Sequence, residues 1–95
     1  MPFFEWRDSF KDKIIRARIN RRLEKLEEGN YGDFKPVGEG VFEMRLHFGP
    51  GYRIYFGEID SHVVLLLFGG SKNGQAKDIQ LAKQYWHEFK IRVKQ

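Results

Sequence analysis

The stretch Val41-Phe-Glu-Met-Arg-Leu-His-Phe-Gly-Pro-Gly-Tyr-Arg-Ile-Tyr-Phe56 decides how this chain folds. Phe42, Met44, Leu46 and Phe48 alternate with Val41, Glu43, Arg45 and His47. A two-residue period predicts a strand with one apolar face. Gly49-Pro50-Gly51 cannot continue that strand and supplies the chemistry of a tight turn. Tyr52, Ile54 and Phe56 then alternate with Arg53 and Tyr55, which predicts a second strand returning beside the first. In register, the face opposite the apolar one displays Glu43, Arg45, His47, Arg53 and Tyr55. Two guanidiniums, a carboxylate, an imidazole and a phenol on one face suit a binding or reacting surface better than a plain solvated sheet.

Downstream, Gly57-Glu-Ile-Asp-Ser61 predicts another turn, and His62-Val-Val-Leu-Leu-Leu-Phe68 follows. That run is apolar throughout and reads as a strand buried on both faces, central in the sheet. Upstream, residues 29–40 carry four glycines and a proline and read as a loop packed by Tyr31 and Phe34. Lys35 in it reads as a solvated side chain or as one that reaches a phosphate. Before the loop, Ile15, Ile19, Leu23 and Leu26 recur at four and three, widened by Phe10, Ile14 and Ala17. This predicts a helix with one buried side, capped by Asp8 or Ser9 through Ser9-Phe-Lys-Asp12 and stopped at Gly29. Arg16, Arg18, Arg21, Arg22 and Lys25 fill its remaining surface, as a solvated face or as a docking surface for an acidic protein or a phosphate backbone. Ile79, Ala82, Trp86, Phe89 and Val93 predict a second helix over residues 75–93. Pro2 to Trp6 reads as a brief edge strand. The expected fold is α+β: one domain over residues 1–95, a three-strand antiparallel meander plus the short N-terminal strand, with helices on one face and the other face open.

The chain has 95 residues and no cysteine, which excludes disulfides, thiolate metal sites and thiol nucleophiles. Its formal net charge of +4 suggests an anionic partner, and nucleic acid and an acidic protein fit equally. The N-terminus lacks the basic start and apolar run of a signal peptide. The longest apolar run, Val63 to Phe68, is far short of the ~20 residues of a membrane span. A cytoplasmic protein without membrane contact is expected. Gly69-Gly70-Ser71-Lys72-Asn73-Gly74 lacks the spacing of a P-loop, which excludes nucleoside triphosphate binding of that kind. It retains the possibility of an anion nest, with Lys72 at a helix N-terminus. His62 and His87 have no metal-ligand spacing, and no cofactor is expected.

Several blocks together resemble a known family. They are Trp6 with Asp8, then Arg18-Ile19, Arg22-Leu23, Leu26 and Gly29-Asn30-Tyr-Gly-Asp33, then Gly40-Val-Phe-Glu-Met-Arg45. Gly49-Pro-Gly-Tyr-Arg-Ile-Tyr-Phe56 and Gly69-Gly70-x-Lys72-x-x-Gln75 with Asp78-Ile79 and Ala82 complete the series. In this order they resemble the addiction-module killer proteins, a HigB-like branch of the RelE/ParE toxins of type II toxin–antitoxin systems. The resemblance covers nearly the whole chain. Ser71 stands where the family usually has Asp, Gly74 stands where a small hydroxyl residue is common, and His47 lies outside the pattern.

The resemblance implies a small α+β toxin of the RelE kind that cuts messenger RNA, usually on the ribosome. It implies a cognate antitoxin that wraps the toxin and often binds operator DNA. The ParE branch instead blocks DNA gyrase on the same fold, so the fold alone does not choose the target. Metal-free RNA cleavage needs a base for the 2′-hydroxyl proton, cations for the extra phosphate charge and an acid for the leaving oxygen. Arg45 and Arg53 supply guanidinium forks that match phosphate oxygens. By resemblance both belong to the family's basic sheet face, with Arg53 in the block that carries a catalytic arginine. Lys72 is the third catalytic cation expected. Glu43, His47, Tyr55, Gln75 and Lys35 are the expected substrate-binding residues. Glu43 reads as a base or as an ion-pair partner of the arginines. His47 reads as a base or as a half-exposed strand residue, since an imidazole takes a proton near neutral pH. Tyr55 reads as a base-stacking ring or as packing.

Overall fold

The structure, a computed structural model, describes residues 1–60 and 62–94, with the side chains of all but Val63, Val64 and Lys94. Its elements in chain order are α1 (Phe3–Asp8), α2 (Lys13–Glu27), β1 (Phe34–Gly38), β2 (Val41–Arg45), β3 (Arg53–Ile59), β4 (His62–Gly70) and α3 (Gln75–Lys94). A 3-10 turn over Lys72–Gly74 leads into α3. The four strands form one antiparallel sheet in the order β1-β2-β3-β4. The protein is therefore α+β, with a four-stranded meander and helices packed on it.

The predicted hairpin holds, with Val41 paired to Gly57 and Arg45 to Arg53. Alternation sends Met44, Ile54 and Phe56 into one core with Phe3 and Trp6 of α1 and Ile19 and Leu26 of α2. It sends Val41 and Tyr55 to the opposite face. There they meet Leu67, Phe68, and Ala82 and Trp86 of α3. Helices thus cover both faces of the sheet, which corrects the expectation of one open face. Gly57 lets this happen: a β-carbon there would collide with the Trp86 indole, so α3 settles directly on β3.

Several local expectations also change. The Phe3–Asp8 segment is a helix and not an edge strand; only Pro2 bridges to the sheet, at Phe68. Phe3 and Trp6 lie a turn apart, so the helix buries both at 1% and 5% exposure. Ser9 then closes α1, its hydroxyl donating to the Trp6 carbonyl. Asp12 caps α2 by accepting from the Ile14 amide at 2.8 Å, so Ile14 falls on the outer side of the first turn and is exposed.

The loop expected over 29–40 contains β1. Its Glu39-Gly40 turn has both residues at positive φ, the geometry of a two-residue hairpin whose twist matches its strands. The usual cue there is Asn or Asp before Gly, and Glu39 hides it. Strand β4 is an edge strand and not a central one. It is apolar throughout because α1 packs on one side and α3 on the other, while a bulge between Leu66 and Phe68 shifts its register against β3. Central position falls to β3, buried from Arg53 to Gly57. Val93, counted with the buried stripe of α3, is exposed.

Candidate functional site

The register builds the site from two rows across the sheet. Lys35 pairs with Glu43, and Glu43 with Tyr55; one row along, Arg45 pairs with Arg53, and Arg53 with Gly70. Antiparallel pairing puts directly opposed side chains on the same face. Arg45 and Arg53 therefore project together.

Glu43 is the centre. Its side chain is fully buried, and five groups converge on its two oxygens. Oε1 meets the cations: Arg45 Nε at 3.4 Å, Arg53 Nε at 3.5 Å and Lys35 Nζ at 4.0 Å. Oε2 meets the neutral donors: Gln75 Nε2 at 2.7 Å and the Tyr55 hydroxyl at 3.2 Å. Burying a carboxylate is costly unless partners such as these replace its contacts with water. Gln75 is the first residue of α3, so one of those bonds ties the helix start to the sheet. Burial, with the charge of Glu43 second, pushes the Tyr55 hydroxyl far above the ordinary phenol range. Tyr55 is accordingly a fixed donor.

Arg53 is 6% exposed. Its Nη1 donates to the Gly51 carbonyl at 2.9 Å, while its Nε faces Glu43 without the alignment of a hydrogen bond. Gly51 has φ +80, and both Arg53 Nη1 and the Lys72 β-carbon would lie 3.5 Å from a β-carbon placed on it. The turn thus brings the Arg53 guanidinium close to the base of the exposed Lys72 side chain. It is pinned from below by Tyr52, whose ring packs edge-on against Trp6, Phe10 and Phe48. Arg45 remains 41% exposed at its side chain. Among the described residues its two Nη nitrogens make no hydrogen bond. Glu43 holds it from behind by Nε and leaves the fork free.

The structure therefore gathers Lys35, Glu43, Arg45, Arg53, Lys72, Tyr55 and Gln75 at one end of the α3-covered face, beyond the helix start. It does not bring in His47. Strand β2 stops at Arg45, and residues 46–52 form the connection to β3. Its Gly49 and Gly51 both take positive φ, and Leu46 and Tyr52 close its neck through a backbone bond of 2.9 Å. His47 swings out, 75% exposed, and its Nε2 meets Asp33 Oδ2 at 2.9 Å. Strand parity cannot be carried past the last ladder pair.

The chain is 42% identical over 83 residues to an uncharacterized protein of Haemophilus influenzae, an alignment covering 87% of this chain and 84% of that one. It belongs to that protein's family. No family model matches the chain, and no solved structure does.

Two features of the region escaped the sequence reading. Arg22 was grouped with the surface arginines, yet its Nη2 donates to the Tyr31 carbonyl at 3.1 Å and touches Met44 Sδ at 3.4 Å. It braces the chain that leads into β1. Asp33, the partner of His47, stands just before that strand; it closes the Gly29–Asp33 block of the resemblance, which assigns it no role in the site. Among the described residues, no three of His, Asp and Glu converge closely enough to hold a metal ion, and no helix is long and apolar enough to cross a membrane.

Proposed function

We propose that this protein is the toxin of a type II toxin–antitoxin module, a HigB-like member of the RelE/ParE superfamily that cleaves messenger RNA on the ribosome. The observation that carries the reading is the paired projection of Arg45 and Arg53, with Lys72 beside Arg53, around one buried carboxylate. The four cations outnumber the acids there, Glu43 and the Asp78 carboxylate that stands against Gly70, and leave the cluster net positive. Such a cluster favours a phosphodiester that gains charge as its 2′-hydroxyl attacks. Arg45 presents the open fork to phosphate oxygens, and Arg53 and Lys72 hold the field from the turn side. A cognate antitoxin would silence the protein by covering this end of the sheet, and would carry any contact with operator DNA.

Induction in cells without a partner should arrest growth and leave new 5′ ends within messenger RNA. Arg45→Ala should abolish both. It is the informative variant because Arg45 is half exposed and Arg53 is buried. Arrest by Arg45→Ala at the wild-type level of protein would sink the reading.

A second reading is supported by a different observation. Glu43 is buried and fully engaged, Tyr55 is held protonated, and His47 is turned to Asp33. None of these three is then a free base, and the acid left near the cluster is Asp78, against Gly70, whose affinity for a proton burial raises. Either the ribosome supplies the proton acceptor, or the surface binds and does not cut, as in a ParE-like gyrase blocker. Inhibition of purified gyrase in a supercoiling reaction, with intact messenger RNA in the arrested cells, would select the second.

A further inference from the structure

Beside the Glu43 cluster lies a cleft of about 410 Å³ between α2 and the chain that frames β2. Arg18, Arg21, Arg22 and Lys25 enter it from α2, and Arg45 from the end of β2. Spacings of three and four residues place the four helix cations on one side of α2. The one acid on its wall, Asp33, is already paired with His47. Arg22 is spent on the Tyr31 carbonyl. Among the described residues, Arg21 and Lys25 have no ion pair or side-chain hydrogen bond. Arg18 lies over the Phe48 ring, 5.3 Å from its centroid.

We infer that this cleft binds the phosphates of a single-stranded RNA on one side of the bond that the Glu43 cluster addresses. Three properties select RNA over an acidic protein. Unpaired guanidiniums in a concave wall match successive phosphates. The Arg18–Phe48 pair adds a flat aromatic and cationic platform of the kind on which a base stacks. Arg45 borders the cleft while its Nε is held by Glu43, so one side chain links the cleft on the α2 side of the sheet to the cluster on the α3 side. This inference rests on the cleavage reading for the identity of the strand; Arg21 and Lys25, which the test removes, are not among the catalytic residues.

The test is fluorescence anisotropy of a 2′-O-methyl RNA of about ten nucleotides, a length typical of single-strand sites, which cannot be cut. Arg21→Ala/Lys25→Ala should weaken binding about tenfold at low salt and flatten the dependence of log K on log salt by about 0.7 per lost contact. Lys11→Ala/Lys13→Ala, which removes the same charge outside the cleft, should change neither. Equal losses in the two double variants would reduce the effect to net charge and overturn the proposal. Tighter binding of a polyglutamate peptide than of the RNA, lost in the cleft variant, would assign the cleft to an acidic protein and also overturn it. Cleft-dependent RNA binding without cleavage in cells would fail the proposed function and leave the cleft standing. Cleavage with unchanged RNA binding by the cleft variant would do the reverse.

Discussion

Glu43 concentrates the physical tension of this protein in one side chain. It is an acidic side chain fully removed from the surface, held by three cations on one oxygen and two neutral donors on the other. Removing one partner of a buried ion pair leaves the other charge stranded, at about 3–5 kcal/mol. Glu43→Gln keeps the shape and strands Arg53, so it should lower stability by about 3 kcal/mol, read as a shift in urea midpoint at unchanged slope. A loss under about 0.5 kcal/mol would mean that Arg53 finds water or another anion. Tyr55 gives a pH test. Its folded pKa is raised, so the proton is held more tightly in the native state, and that contribution is present below the unfolded value and lost above it. Stability should therefore fall as pH rises through about 10, and Tyr55→Phe should shallow that fall. Tyr31, also raised by its burial and by Glu58, keeps a share of the slope in the variant. Identical alkaline unfolding curves for the two proteins would exclude Tyr55 as a source.

At the scale of elements, periodicity predicted most of what a local pattern can carry. Phe42-x-Met44 and Ile54-x-Phe56 set the hairpin's faces, Ile19 and Leu26 the buried side of α2, and Ala82 and Trp86 that of α3. It failed where a short element is decided by a neighbour. Residues 2–6 alternate no more clearly than they repeat helically, and burial of Phe3 and Trp6 over β4 chooses the helix. Residues 34–38 are nearly all exposed, so no apolar rhythm marks them, and pairing to β2 makes them a strand. The seat of α3 on β3 is a contact of the same kind, invisible in sequence. Gly57→Ala should drive a methyl into Trp86 and cost about 1–3 kcal/mol, as overpacking does. Thermal unfolding of that variant measures it; an unchanged melting temperature would show that α3 shifts freely.

The whole molecule is a single sheet with a core on each face, one under α1 and α2 and the other under α3. Both cores share β3, whose residues alternate between them. Neither core is large, and loss of one exposes the back of the other's sheet. The two tryptophans report them separately: Trp6 sits in the first and Trp86 in the second. Trp6→Phe and Trp86→Phe leave one probe each. In urea, the emission of the remaining tryptophan and far-ultraviolet dichroism should give one midpoint within each variant. Separated midpoints would mean that the α3 layer unfolds by itself.

The amino-acid sequence alone determined the α+β class, the hairpin that carries Arg45 and Arg53, and the two long helices, because each is written in a period of two or of 3.6 residues. It also supplied the cationic character of the site, since charge is a property of composition. Only the tertiary structure decided that helices cover both faces, that Glu43 is the buried hub, that His47 leaves the cluster and that Arg22 is a brace. Each of those depends on which distant segments meet, and no short-range pattern encodes the partner across the fold.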